Sequence, residues 1–274
     1  MITLIYILVF IFGTIIGSFL NVLILRHGTG RSFVSDRSVC WSCGKILRWY
    51  ELVPIVSYVV LRGKCSACKT RISIQYPIVE FLTGALFVLG AWSISDMLLL
   101  PLWGIVSLAA LLTLIISLSV MITVYDIRHT IIPNTWVYIF ATATLLYTAV
   151  FYMATYGTLA EWSVWDMAAG PLLSLPFAAL WFFSRGSAMG LGDAKLALGI
   201  GWLLGLMGGL SALILGFWCG AITGLALMGM HRVKGLFGIQ KRFTMKSEIP
   251  FGPFLLLGML IVHFFHIQAL HLFI

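Results

Sequence analysis

The stretch LWGIVSLAALLTLIISLSVMITV, residues 102–124, contains no charged residue and is followed directly by Tyr125 and Asp126. About 20 consecutive apolar residues are enough for an α-helix to cross the hydrocarbon core of a bilayer, so this stretch predicts a transmembrane helix. The rest of the chain is similar, with 61% hydrophobic residues, 9% charged residues and a mean hydropathy of +1.06. These values exclude a soluble globular protein and predict an all-α polytopic membrane protein.

Apolar runs of this kind recur along the chain and predict about eight spans. We place them at residues 2–25, 74–92, 98–124, 135–155, 166–184, 194–207, 210–230 and 250–273. The first run has no cleavage site at its end, so we expect an uncleaved anchor. A single tilted helix over 194–230 is the alternative to the sixth and seventh spans, but the Gly208-Gly209 pair favours a break between them.

The basic residues are distributed unevenly with respect to these spans. All 17 Lys and Arg residues fall in four segments, 26–73, 125–134, 185–195 and 231–249, which eight spans place on one side of the membrane. Because basic residues remain with the cytoplasm, we predict that this side is cytoplasmic and that both termini lie outside. The net charge of +8 then follows from topology and favours contact with anionic membrane lipids, so it gives no reason to expect nucleic-acid binding.

Four cysteines form two C-x-x-C pairs in the hydrophilic segment 26–73: Cys40, Cys43, Cys65 and Cys68. Two such pairs can supply the four thiolates of a tetrahedral zinc site. Disulfides are the alternative, but they need an oxidising compartment, whereas the basic residues of this segment predict the cytoplasm. Four protein ligands leave no open position for water, so we predict a structural zinc ion that stabilises a small module.

Two aspartates, Asp126 and Asp193, each stand where a long apolar run breaks, and the second lies in Gly190-Leu191-Gly192-Asp193. A carboxylate at a membrane boundary is costly, which favours a functional role. The predicted spans place both residues at the same depth on the same side. If they meet, they would share a proton, with one acting as base on water and the other polarising a carbonyl, as in aspartic peptidases. The alternative is a pair of solvated charges beside Arg128 and Lys195.

Three further residues are candidates for substrate binding. Gly190 and Gly192 would allow a substrate backbone to approach the aspartates closely. Glu80, about two turns into the second span, would hold an amine or a basic side chain of a substrate, and an interfacial ion pair is the alternative. Glu248 is a weaker candidate for the same role.

Seven ordered blocks together resemble the bacterial type IV prepilin peptidase family over nearly the full chain. They are GSFLNVLILR (17–26), the double C-x-x-C module, WYELVPIVSY (49–58), QYPIVE (75–80), Asp126 with Ile132-Pro133-Asn134, GLGDAKL (190–196) and IPFGPF (249–254). The resemblance implies that Asp126 and Asp193 are catalytic and remove a basic leader from prepilins and pseudopilins at the cytoplasmic face of the bacterial inner membrane. It also implies methylation of the new amino terminus with S-adenosylmethionine, whose binding residues stay unassigned because no Gly-x-Gly-x-x-Gly follows a strand.

Two other classes of protein fit parts of the pattern. A presenilin-like intramembrane protease would share the two aspartate motifs, but it has no place for the cysteine module, and no Pro-Ala-Leu triplet stands near the C-terminus. A transporter or proton relay would use paired carboxylates, but the spans show no clear inverted repeat. We therefore predict a first transmembrane helix (1–25), a cytoplasmic zinc-binding module (26–73) and a membrane aspartyl protease domain (74–274). The sequence gives no indication of oligomeric state.

Overall fold

The computed structural model describes residues 2–30, 32, 36–95, 97, 99–187, 189–234 and 250–267, and side chains within these ranges except at residues 2 and 227–234. Glu248 and residues 235–249 of the predicted basic loop lie outside them. Across the described residues the secondary structure is helical, and the extended pairing consists of two single β-bridges. The prediction of an all-α protein is confirmed.

Eight α-helices and one 3₁₀ turn, Trp49–Glu51, occur in the described part of the chain. The helices are α1 (Ile2–Arg26), α2 (Val56–Val60), α3 (Gln75–Ser95), α4 (Leu102–His129), α5 (Asn134–Tyr156), α6 (Val164–Ser184), α7 (Leu191–Lys234) and α8 (Gly252–Phe265). Within the same residues, α1 and α3 to α7 are the six helices that are long and apolar enough to cross a membrane, while α8 is apolar and shorter. The first five predicted spans overlap α1 and α3 to α6, and the sixth and seventh overlap parts of α7. The eighth, 250–273, contains α8, and its residues 268–273 lie outside the described part of the chain.

Helix α7 is interrupted, but three residues earlier than we predicted. Gly205 has φ 68° and ψ −175°, a backbone conformation that is open essentially only to glycine. Gly208 and Gly209 are helical, so the predicted break at this pair was wrong. The break is fixed by Asp166 of α6, whose Oδ1 accepts a hydrogen bond of 3.1 Å from the backbone N–H of Leu206, a donor that the interrupted helix leaves without its usual partner.

The chain divides into two compact units, of which the first comprises Met1–Leu99 and Leu112–Met121. In this unit α1 packs against α3 along a seam of small residues. A Cβ at Gly13 would lie 2.8 Å from Cα of Gly84, so the two backbones approach too closely for a side chain at this point. Buried Asn21 joins the same pair of helices, because its Nδ2 lies 3.3 Å from the carbonyl oxygen of Tyr76.

The second unit comprises Leu100–Leu111 and Ile122–Ile274. Within it α5, α6 and α8 each pack against α7. Glycines again permit the close approach: a Cβ at Gly201 would lie 2.6 Å from the carbonyl oxygen of Ala169, and one at Gly258 would overlap that of Ala212. This packing positions α7 and α8 in the unit that also contains the end of α4.

Candidate active site and metal centre

Asp126 lies in the last turn of α4, which ends when Thr130 adopts a left-handed conformation with φ 53°. The side chain of Asp126 is only 4% exposed. Its carboxylate accepts a hydrogen bond from the backbone N–H of Gly252, the first residue of α8. The N-terminus of a helix has unpaired N–H donors and a partial positive charge, so α8 provides a favourable partner for this buried acid.

Asp193 lies in the first turn of α7 and is 8% exposed. Its backbone N–H donates a hydrogen bond of 3.3 Å to the carbonyl oxygen of Gly190, and this bond forms the first turn of the helix. A carboxylate in the first turn of a helix is stabilised by the helix dipole. The carboxylates of both predicted catalytic residues therefore lie at helix N-termini. Asp193 belongs to the first turn of α7, and Asp126, at the end of α4, contacts the first residue of α8.

Both aspartates lie in the second unit, within range of each other's charge. Ile132 fills the space beside them, because a Cβ added at Gly192 or at Gly252 would meet its side chain at 2.9 Å or 3.2 Å respectively. Neither aspartate forms an ion pair with a described residue. Their burial contradicts the alternative of two solvated loop charges.

Lys195 stands two residues after Asp193 but is directed elsewhere. Its Nζ donates a hydrogen bond of 2.6 Å to Oδ1 of Asn134, the first residue of α5, and lies 4.8 Å from the centre of the Tyr138 ring. The ammonium group thus links the start of α7 to the start of α5, which follows the Asp126 turn. A hydrogen bond to a charged donor typically contributes about 1 kcal/mol or more. This bond therefore helps to fix the position of the Asp193 turn relative to the Asp126 turn.

The glycines near the dyad differ in what surrounds them. A Cβ at Gly190 would meet nothing closer than Asp193 Oδ2 at 3.8 Å, whereas one at Gly192 would lie 2.9 Å from Cβ of Ile132. Gly190 therefore has room beside the dyad, and Gly192 is required for packing. Gly252 was not singled out from the sequence, although it belongs to the IPFGPF block, and a Cβ there would lie 2.8 Å from Asp126 Oδ2.

Glu80 belongs to the first unit, where it is buried in α3. Its Oε2 accepts a hydrogen bond of 2.7 Å from the backbone N–H of Ile55, the residue that precedes α2. An ion pair between Glu80 and Lys69 or Arg71 does not occur among the described residues. The first unit thus gives Glu80 two contacts, with the loop that follows the first cysteine pair and with the hydroxyl of Ser18 in α1.

The four predicted metal ligands converge. The Sγ atoms of Cys40, Cys43, Cys65 and Cys68 all lie within 4.8 Å of one another, and those of Cys40 and Cys68 are 3.8 Å apart. Thiolates bound at about 2.3 Å to one tetrahedral zinc ion would be about 3.8 Å apart, so the cluster fits this metal. Each pair lies in a small hairpin closed by one β-bridge, Val39 with Ile46 and Lys64 with Arg71.

The environment of the thiols also suits metal binding. Hydrogen bonds from the side chain and backbone of Thr70 lower the pKa of the Cys68 thiol to about 6. The backbone N–H of Lys45 acts to lower the pKa of Cys43, but burial and hydrogen bonds with the other thiols outweigh it and raise this pKa to about 11. Four adjacent thiols cannot all ionise without a cation, and a metal ion removes this conflict.

Sequence reasoning missed Glu51, which joins the two hairpins. This residue is 8% exposed, and its Oε1 lies 2.8 Å from Lys45 Nζ of the first hairpin and also binds the Ser66 hydroxyl of the second. Its Oε2 accepts the backbone N–H of Arg48 at 2.8 Å. The only signal was an acid surrounded by apolar residues in WYELVPIVSY.

Two family profiles match the chain. The one described as "Bacterial Peptidase A24 N-terminal domain" matches residues 11–94, which include the cysteine module, and the one described as "Type IV leader peptidase family" matches residues 112–225, which include both aspartates. No solved structure matches the chain.

Curated relatives extend this likeness to most of the chain. Proteins named "Prepilin leader peptidase/N-methyltransferase" from Aeromonas salmonicida (strain A449) and Bacillus subtilis (strain 168) are both 30% identical, over 90% and 94% of this chain and 86% and 93% of their own length. The protein of that name from Myxococcus xanthus (strain DK1622) is 49% identical over a shorter match, which covers 28% of this chain and 23% of that relative. Matches of this identity over most of both chains show that the chain belongs to the type IV leader peptidase family.

Proposed function

We propose that this protein is a membrane-embedded aspartic peptidase in which Asp126 and Asp193 form the catalytic dyad. The observation that carries the proposal is the burial of two carboxylates, within range of each other's charge, at the ends of membrane helices of a leader peptidase. Buried acids without a cationic partner are rare in membrane proteins unless they perform chemistry.

The chemistry follows from the pair. Two adjacent buried carboxylates cannot both carry charge, so one holds a proton. The ionised carboxylate takes a proton from water as the oxygen attacks the scissile carbonyl carbon, while the protonated one donates a hydrogen bond to the carbonyl oxygen. The tetrahedral intermediate then collapses, the C–N bond breaks, and a carboxyl proton passes to the departing amine. The N–H of Gly252 keeps Asp126 oriented during these steps.

The substrates of this reaction are prepilins and pseudopilins, as family membership implies. Their basic leader precedes an apolar helix, so the bond to be cut lies where that helix leaves the bilayer. The protein is a multi-pass inner-membrane protein, and the distribution of its basic residues supports a dyad and a cysteine module on the cytoplasmic side. A protease at this depth reaches the scissile bond while the substrate helix stays in lipid.

Methylation of the new amino terminus is the second activity, as the names of the relatives indicate for those proteins. The methyl donor implied is S-adenosylmethionine. The described residues contain no strand followed by a glycine-rich turn, so a Rossmann-type site does not fit them. We assign no residue and derive no step for the cofactor.

The cysteine cluster holds zinc in a structural role. Its four thiolates would supply all the ligands of a tetrahedral ion and would leave no position for an activated water. Family membership and this module argue against a presenilin-like protease, and membership argues against a transporter or proton relay.

Cleavage of a prepilin-like peptide by the purified protein tests the dyad. Asp126→Asn and Asp193→Asn should each reduce kcat about a thousandfold or more, because each removes one partner of the acid–base pair. Zinc content should stay unchanged in both variants. Glu161→Gln, which alters an exposed acid in the loop before α6, is the matched control and should cleave normally. Cleavage that survives either dyad substitution would refute the proposal.

Glu80, Gly190 and Gly192 remain proposals for substrate binding. Glu80→Gln keeps an oxygen acceptor for the Ile55 N–H and removes the negative charge, so it isolates the role of that charge. If Glu80 binds a basic group of the leader, KM should rise about tenfold at unchanged kcat, the usual effect of losing one charged hydrogen bond. An unchanged KM would limit Glu80 to its contacts with Ile55 and Ser18.

A further inference from the structure

The segment between the two cysteine hairpins exposes an unusually apolar surface. Six of its side chains, Trp49, Tyr50, Leu52, Val56, Val59 and Val60, are exposed, with Trp49 at 80% and Val60 at 73%. The single charged residue from 49 to 60 is Glu51, which is buried against Lys45 and Ser66. The exposed face of this segment therefore carries no charge.

The position of this segment along the membrane normal follows from its contact with α3. The Ile55 N–H binds Glu80, the sixth residue of α3, about 7.5 Å along the helix from Gln75. Because α3 begins at Gln75 and is long and apolar enough to cross a membrane, we infer that the start of α2 lies at the depth where headgroups meet acyl chains.

The backbone of the segment is suited to such a place. Lipid offers no hydrogen bonds, so donors near the acyl chains must be satisfied by the protein. The N–H groups of Ser57, Val59 and Leu61 bind the carbonyl oxygens of Val53, Ile55 and Ser57 at 2.9–3.1 Å. Together with the Ile55–Glu80 bond, these contacts satisfy the N–H groups of Ile55, Ser57, Val59 and Leu61 within the protein. The exposed face therefore presents its side chains to the lipid.

Basic residues stand at both ends of the apolar segment. Arg48 precedes it and Arg62 and Lys64 follow it, and all three are exposed. Arg48 Nη1 also lies 3.1 Å from the hydroxyl of Tyr50. Aromatic and aliphatic side chains bracketed by exposed cations are the composition of segments that lie in the interface of an anionic membrane.

We propose that residues 48–62 are an interfacial anchor, which inserts the six apolar side chains into the bilayer leaflet beside α3 and places Arg48 and Arg62 among lipid phosphates. The occupant of this face is lipid. The anchor holds the cysteine module against the membrane surface, and this inference does not rest on the peptidase activity.

Fluorescence quenching in the full-length protein tests the anchor. A fluorescent amino acid is inserted by codon suppression at Val60 or, as a control, at exposed Lys69 of the second hairpin, and the protein is reconstituted in phosphatidylcholine–phosphatidylglycerol liposomes. Nitroxide near the top of the lipid acyl chains should quench the Val60 probe several-fold more than the Lys69 probe. Iodide in the buffer should quench only the Lys69 probe.

Three results would overturn the proposal. Iodide could quench both probes equally, which would place the segment in water. The Val60 probe could be shielded from both quenchers until the protein is diluted in lipid, which would assign the face to a second copy. It could also become shielded only when a prepilin-like peptide is added, which would assign the face to substrate. A probe at Val56 repeats the measurement, and zinc content shows that each labelled protein is folded.

Discussion

Glu51 illustrates how one side chain can organise a module that has almost no hydrophobic core. The backbone N–H of Arg48, followed by Lys45 and Ser66, lowers the pKa of the Glu51 carboxyl to about 2. A carboxyl whose pKa is lowered on folding contributes stability above its unfolded pKa of about 4.5. This contribution is lost only as the pH falls from about 4.5 to about 2, so Glu51 is fully ionised wherever thiolates bind metal.

We predict that Glu51→Gln releases zinc to a chelator about tenfold faster than the unmodified protein, since a hydrogen-bonded buried charge contributes about 1.5 kcal/mol. The ratio of the two rates should be constant between about pH 8 and pH 5, because Glu51 does not titrate there. Asp36→Asn, which changes the module's other and exposed acid, should release zinc at the normal rate. A ratio that declines across this pH range would contradict the assignment.

Gly205 decides the course of α7, and the reason lies outside α7. An alanine at this position would need a strained φ, and its Cβ would lie 2.5 Å from Asp166 Oδ1. We predict that Gly205→Ala lowers the free energy of unfolding by about 2–3 kcal/mol. Thermal unfolding in detergent measures the effect.

Gly208→Ala is the matched control for this prediction. Gly208 is helical, and the nearest atom to its added Cβ is 3.1 Å away in Leu204 of the preceding turn. Alanine is favoured over glycine inside a helix, so this change should be close to neutral or stabilising. Equal destabilisation by the two substitutions would mean that the break is not confined to Gly205.

The helices and the cysteine module also show how much of the structure could be predicted from sequence patterns. Long uncharged runs predicted the spans because a bilayer imposes a fixed length, and paired C-x-x-C motifs predicted the thiol cluster because four ligands must converge on one ion. The pattern could not identify Gly205, since the adjacent Gly208-Gly209 pair is the stronger local signal and only Asp166, 39 residues earlier in the chain, selects the glycine that leaves the helix. Gly252 escaped notice for the same reason, because its partner Asp126 is 126 residues earlier in the chain. Glu51 escaped notice although its partners Lys45, Arg48 and Ser66 are near in sequence, because no local pattern shows that the two hairpins fold against it.

The distribution of charge across the molecule makes its orientation testable. Helix α6 has 21 residues and is therefore about 31 Å long, enough to cross the hydrocarbon core once. The loop before it, 157–163, contains no Lys or Arg, whereas the loop after it begins with Arg185. We predict that the first loop lies outside and the second in the cytoplasm, on the side where α4 ends and α7 begins.

Reporter insertions after Leu159 and after Gly186 test this orientation in growing bacteria. Alkaline phosphatase folds only outside the cytoplasm, where its disulfides form, so it should be active after Leu159 and inactive after Gly186. A green fluorescent protein exported in unfolded form, which is dark outside the cytoplasm, should give the opposite pattern at the same two positions. Phosphatase activity after Gly186 would place the dyad on the outer face, where a leader that remains in the cytoplasm could not reach it, and the proposed reaction would then lose its substrate.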